Sequence, residues 1–202
     1  MEDYSANTAL KTMYQRRSIR QFQDKPVEDS LIQTVLDAAN QAPSAHNKQS
    51  WQFIIIRDQK KHMLAQLVSQ RASDFPKPSS SILRMAARSI ESASVVIAVM
   101  NTGTLIRHGT ELFKIEQDVS GDFFRTMEIQ SSAAAVENLL LAATSLGLGS
   151  VWLGILFLVK DDVLSFLGEA QGEFMAVIPL GYPQRGHDGP RKKALEYVVK
   201  HL

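Results

Sequence analysis

The chain has 202 residues, 45% of them hydrophobic, and a formal net charge of +1. That suits one domain, residues 1–202, with a proper core, and argues against nucleic acid or an anionic membrane surface as a partner. Cysteine is absent, which removes disulfides, thiolate metal sites and cysteine nucleophiles.

In chain order, the opening MEDYSANTAL is polar and acidic, with no signal-peptide core. Residues 1–6 read as a frayed end. Ala9 to Arg16 is predicted as a short helix with Leu10 and Met13 on one face, and Ser18 to Phe22 as a short extended segment. Pro26 stops that segment. Leu31, Ile32, Val35, Leu36 and Ala39 then recur at helical spacing, which predicts a helix over about Glu28 to Gln41, ended by Pro43. Trp51 to Arg57 is a strand rich in β-branched residues. Lys60 to Gln70 is an amphipathic helix. Asp74 to Ser81 carries two prolines and reads as a surface loop, and Ile82 to Ser92 is helical. Val95 to Met100 is a buried strand. Asn101 to Arg125 shows no clear periodicity and reads as a long irregular connection. Glu128 to Leu146 is a long helix ended by Gly147. Asp161 to Leu167 is a short helix, and Phe174 to Leu180 the last core strand. Strands do not alternate strictly with helices, so the fold class is α+β, a mixed sheet flanked by helices. No Gly-x-Gly-x-x-Gly turn follows a first strand, so a nicotinamide cofactor would visit as a substrate. No apolar run approaches the roughly 20 residues that span a bilayer. The expectation is a cytoplasmic protein with no membrane partner and, since the five histidines show no ligand spacing, no metal.

Two runs carry chemistry. RRSIR gathers Arg16, Arg17, Ser18 and Arg20 within five residues. Guanidinium is a planar fork that suits phosphate and polar ring edges. APSAHNKQSWQF holds Pro43, Ser44, Ala45, His46, Asn47 and Gln49 and leads straight into an apolar strand. It offers amide and hydroxyl groups with little charge. Together the two runs suit a ligand with a phosphate tail and a polar heterocycle, as in flavin mononucleotide. Each also has a plainer reading: a solvated basic stretch for the first, and helix-terminating turn chemistry for the second.

These runs, the helix and glycine turn SSAAAVENLLLAATSLGLGSVW, and the strand and tail MAVIPLGYP…PRKKALEYVV resemble the signature blocks of the FMN-dependent nitroreductase family. The resemblance spans Tyr14 to Val199. It implies an intertwined homodimer whose central helices pack across the twofold axis; Ser131 to Leu146, apolar all round apart from Glu137 and Asn138, fits such burial. It implies FMN as cofactor and NADH or NADPH as electron donor. Arg16 and Ser18 would lie at the flavin phosphate and ribityl chain, with Arg17 or Arg20 in the same cluster, the alternative for Arg20 being a structural ion pair. Arg191 and Lys193 would close on the same phosphate. The turn Pro43, Ser44, Ala45, Asn47 and Gln49 would reach the flavin from the partner subunit, with His46 as a spacer. Gly149 and Ser150 would approach the reactive ring edge, where only small residues fit. Phe123 or Phe124, on a lid within Asn101 to Arg125, would stack on the substrate. The flavin carries the chemistry, so no side chain is assigned as catalytic. Glu137 is expected in a buried hydrogen bond or an ion pair across the dimer. The acceptor is a small aromatic or quinone-like molecule: a nitroaromatic, a quinone or an activated alkene. Alternatives are a non-catalytic flavin-binding or sensing protein or, within the fold, a reductive dehalogenase or a flavin-cleaving enzyme.

Overall fold

The computed structural model describes residues 7–113, 117–186 and 189–202. The expectation for residues 1–6, and the part of the Asn101 to Arg125 expectation that covers residues 114–116, lie outside the described residues. Helices α1 (Thr8–Gln15) and α2 (Asp29–Asn40) precede strand β1 (Trp51–Ile56). Helices α3 (Asp58–Arg71) and α4 (Ser79–Ser92) lead to β2 (Val95–Asn101). Then come α5 (Thr104–Phe113), α6 (Gln117–Ser145), the two-residue strand β3 (Gly149–Ser150), α7 (Lys160–Leu167) and β4 (Glu173–Gly181).

The sheet order is β1-β2-β4-β3. β2 lies at its centre, and all seven of its residues are buried. Its side chains alternate between two cores, as the pleat requires. Val95, Ile97 and Val99 pack with Ile32, Val35, Val136 and Leu139 beneath α2 and α6. Val96, Ala98 and Met100 pack with Leu64, Val68, Leu83 and Ile90 beneath α3 and α4. Covering both faces explains why VVIAVM reads as a continuous apolar run. Each large side chain so buried contributes about 1.5–3 kcal/mol.

Three expectations change. The sheet is not mixed: β1–β2, β2–β4 and β3–β4 all pair antiparallel, and the parallel pairing is a single bridge between Ser18 and Ser150. The Asp74 to Ser81 loop is shorter, because α4 already starts at Ser79. The stretch read as irregular contains α5 and the first turns of α6. Its buried face is there, in Leu105 and Gly109 one turn apart, yet a glycine stands where an apolar residue would be expected. Phe124 explains that glycine. A Cβ on Gly109 would collide with the Phe124 ring, so the two helices meet through this missing side chain.

Helix α6 ends as its sequence predicts. Gly147 takes φ +75, and Leu148 N–H donates to Ala143 O at 2.8 Å while Gly147 N–H donates to Thr144 O at 3.1 Å. That pair of bonds is a Schellman cap. The helix is not, however, buried all round within a protomer. Glu137 is exposed, and Ala133, Ala134, Leu141 and Ala142 are only half-buried beside it.

Candidate functional site

The cap on α6 turns the chain into β3, and β3 meets the arginine run. Ile19 N–H donates to Ser150 O at 3.0 Å, and Ser18 bridges Ser150. Close approach here depends on Gly149. A Cβ on it would stand 2.8 Å from Cβ and Cγ2 of Ile19. Within the protomer, then, the Gly149 side-chain space is taken by Ile19.

Around this junction lies a cleft of about 890 Å³. Arg16, Arg17, Ser18 and Arg20 line it from one side, and Gly189, Pro190, Arg191 and Lys192 from the other. Two basic clusters some 170 residues apart in sequence thus share one wall-to-wall space. Lys193 does not border it; its neighbour Lys192 does. Glu137 of α6 also lines the cleft, and its Oε1 lies 3.9 Å from Arg16 Nε. This corrects the buried Glu137: its side chain is half exposed, and its pairing is with Arg16 of the same chain. Arg17 has a second task. Its Nη1 donates to the carbonyls of Tyr14 at 2.6 Å and Arg16 at 2.8 Å, holding the last turn of α1. A cation at a helix C-terminus also favours the helix dipole.

The turn after α2 is set by backbone strain. His46, Asn47 and Gln49 all take positive φ, at 53, 50 and 48. A left-handed non-glycine residue costs roughly 1–2 kcal/mol, so side-chain bonds must hold the turn. Ser44 Oγ accepts from Gln49 N–H at 3.0 Å, and Gln49 Nε2 donates to Asn47 Oδ1 at 3.0 Å. Ser131 of α6 accepts from Ala45 N–H at 3.1 Å and donates to Met127 O at 2.6 Å. Trp51 Nε1–H donates to Asn40 Oδ1 at 2.9 Å and pins the strand that follows. None of Pro43 to Gln49 borders the basic cleft of its own protomer. The two are joined through α6. Ser131 holds the turn and Glu137 meets Arg16, six residues or about 9 Å along the helix axis.

Phe123 and Phe124 separate on burial. Phe124 is fully buried, 5.6 Å between ring centroids from Phe113. Phe123 keeps about half its surface exposed. Sequence reasoning missed the link between α5 and the strained turn: the His46 ring lies 5.7 Å from Phe113 and 6.4 Å from His108. It also passed over Glu128, fully buried, whose Oε1 accepts from Leu105 N–H at 2.6 Å and ties α6 to the start of α5.

Residues 13–182 match the model of the nitroreductase family. The chain belongs to that family. An Archaeoglobus fulgidus relative, assigned as an NADH dehydrogenase/NAD(P)H nitroreductase, is 33% identical over 184 residues, 89% of this chain and 87% of the relative. The NADPH-flavin oxidoreductase of Vibrio harveyi is 29% identical over 96% of this chain and 73% of its own length. Among solved nitroreductase-like structures, one from Desulfovibrio desulfuricans in complex with FMN superposes with a TM-score of 0.71. It is 28% identical and covers 97% of this chain and 98% of that one.

The residues at this cleft fit a flavin mononucleotide. Among the described residues, the cleft gathers four arginines and Lys192 against one carboxylate, that of Glu137. Ser150 is buried, and its Oγ has no hydrogen-bond partner among the described residues. A buried hydroxyl without a partner is costly, and a polar ligand atom that reached it would relieve that cost. No group of three or more histidine and acidic side chains able to hold a metal occurs among the described residues, and no described helix is long and apolar enough to cross a membrane.

Proposed function

We propose that this protein is an FMN-dependent oxidoreductase. It takes hydride from NADH or NADPH and reduces a flat, electron-poor acceptor such as a nitroaromatic, a quinone or an activated alkene, working as a homodimer. The observation that carries the reading is the convergence of Arg16, Ser18, Arg20, Arg191 and Lys192 on one cleft.

When bound, the flavin supplies hydride acceptance and donation at N5. The chain's residues do the rest. Arg16, Arg191 and Lys192 hold the phosphate through charge-assisted hydrogen bonds. Arg17 and Arg20 add positive field along the cleft, which stabilises negative charge on a reduced ring system. Gly149 and Ser150 bring backbone and one hydroxyl to the ring edge. Asn47 and Gln49, in a turn exposed on each protomer, supply amide groups to the partner subunit's site. Phe123, on the first turns of α6, offers an exposed ring to the acceptor.

Homodimer formation is supported by three surfaces that one protomer leaves open. They are the half-buried stripe of α6, the edge strand β1, and a tail with Leu195, Tyr197 and Val198 all exposed.

The test begins with the chromophore of the purified protein. Heat-released cofactor should run as FMN on chromatography, and anaerobic NADH or NADPH should bleach the bound flavin. FAD as the main species would refute the cofactor assignment. A bound flavin inert to both donors would instead indicate a flavin-binding sensor.

A further inference from the structure

A pocket of about 360 Å³ lies where β2 ends at Asn101 and β4 begins at Glu173, and it shares no lining residue with the flavin-phosphate cleft. Ser150 pairs with β4 at Leu180, seven residues or about 23 Å further along that strand. Glu128 of α6 lines the pocket and is fully buried. Its Oε1 accepts from Leu105 N–H at 2.6 Å, and its Oε2 has no partner among the described residues. The other charged groups of the pocket are already matched. Arg125 Nε donates to Glu173 Oε1 at 2.6 Å, Asn101 Nδ2 donates to Glu173 Oε2 at 3.2 Å, and Lys160 Nζ donates to Asp161 Oδ1 at 2.6 Å. Two cations thus face three carboxyl groups, and the one left over is the buried one. The frame is held in place, since Ser132 Oγ of α6 donates to Asn101 Oδ1. Apolar surface completes the wall: Phe157 presents a half-exposed ring 6.5 Å from that of buried Phe174.

We infer that this pocket binds a small organic ammonium ion, whose charged head meets Glu128 Oε2 and whose apolar body lies along Phe157. An ionised carboxyl shut away from water without a partner is costly, and a cation seated against it offsets that cost. The chain supplies no such cation here. Arg125 and Lys160, the two basic side chains that line the pocket, are engaged by Glu173 and Asp161. One free carboxyl oxygen calls for one positive charge with N–H donors. A divalent metal takes about six or more oxygen ligands, and no group of three or more histidine and acidic side chains able to hold one occurs among the described residues. The volume sits at the small end of ligand pockets, enough for a charged head and one ring. An aromatic face also attracts a cation, and Lys160 Nζ already lies 5.8 Å from the centroid of the Phe157 ring.

The experiment uses the purified protein as isolated, in an amine-free buffer, with benzylammonium chloride as the probe and benzyl alcohol as its neutral counterpart. Glu128→Gln is the main variant, because its amide oxygen can still accept from Leu105 N–H while the charge is gone. Phe157→Ala, at an exposed ring, is the second. Calorimetry should show benzylammonium binding to the parent about tenfold or more tighter than benzyl alcohol, with the absorbance of any bound flavin unchanged. Glu128→Gln should lose about ten- to hundredfold in affinity for the ammonium and nothing for the alcohol. Phe157→Ala should lose about two- to fivefold for the ammonium. Equal affinity of the parent and Glu128→Gln for benzylammonium overturns the assignment. So does equal affinity of the parent for ammonium and alcohol, a comparison that stays decisive if the Gln variant fails to fold. A shift in flavin absorbance would put the probe in the cofactor cleft instead and overturn the pocket. Displacement of the probe by an equal concentration of potassium chloride would reveal an inorganic cation site and overturn the organic ligand.

Discussion

Single side chains decide which groups grip a ligand and which only shape the fold. Ser150 is the sharpest case, a buried hydroxyl with no partner among the described residues. Ser150→Ala removes that unsatisfied group, so the flavin-free protein should melt at the same temperature or slightly higher. If the hydroxyl bonds the flavin, the variant should bind FMN about five- to tenfold more weakly, the worth of one ordinary hydrogen bond. Titration of the stripped protein with FMN, alongside thermal melts, checks both halves. A second contrast concerns neighbours in the tail. Lys192 lines the cleft and Lys193 does not, so Lys192→Ala should weaken FMN binding clearly more than Lys193→Ala. The sequence made the cluster legible because three adjacent basic residues announce themselves. It could not rank them, because a stretch of tail without regular secondary structure has no period that says which side chains face the ligand. The same limit applied to Phe123 and Phe124. Two adjacent aromatics on a helix point about 100° apart, and only the space left by Gly109 shows which one is inside.

At the scale of elements, the short strand β3 is where packing and site become one problem. Gly149 lets the segment carrying the arginine run lie against it. Gly149→Ala would set a methyl 2.8 Å from the branched Cβ of Ile19, which cannot swing away. Overpacking of this kind costs about 1–3 kcal/mol. Denaturant melts should show that loss, and adding Ile19→Ala should recover part of it, a coupling that a double-mutant cycle measures. Helices α2, α3 and α4 were readable from apolar residues recurring at helical spacing, and the strands β1, β2 and β4 from short apolar runs rich in β-branched residues. The segment over α5 was not, because its packing against α6 substitutes an aromatic ring from one helix for a side chain on the other. Propensity treats that glycine as a breaker. The exposed ring of Phe123 on α6 carries the remaining expectation. Phe123→Ala should change the relative rates for a quinone and a nitroaromatic while FMN stays bound. Unchanged relative rates would remove it from the acceptor site.

For the whole molecule, the basic cleft and the strained turn are tied to the same helix yet do not border one another within a protomer. The α+β class followed from the mixed order of elements. The antiparallel pairing did not, because no local pattern records which strands become neighbours. A homodimer in which each turn reaches the partner subunit's cleft would complete two sites at once. Sedimentation should therefore find a dimer at micromolar concentration whenever flavin is bound, and a flavin-loaded monomer would refute the arrangement. Shared sites of this kind have a genetic signature. Take one chain crippled in its cleft by Arg16→Ala and another crippled in its turn by Asn47→Ala, each inactive as a pure dimer. In a mixed dimer, the intact cleft of the second chain meets the intact turn of the first. One working site reappears, beside one that is doubly broken. Two inactive alleles expressed in the same cell would then restore activity to each other, a rescue closed to a protein whose every chain builds its own site alone.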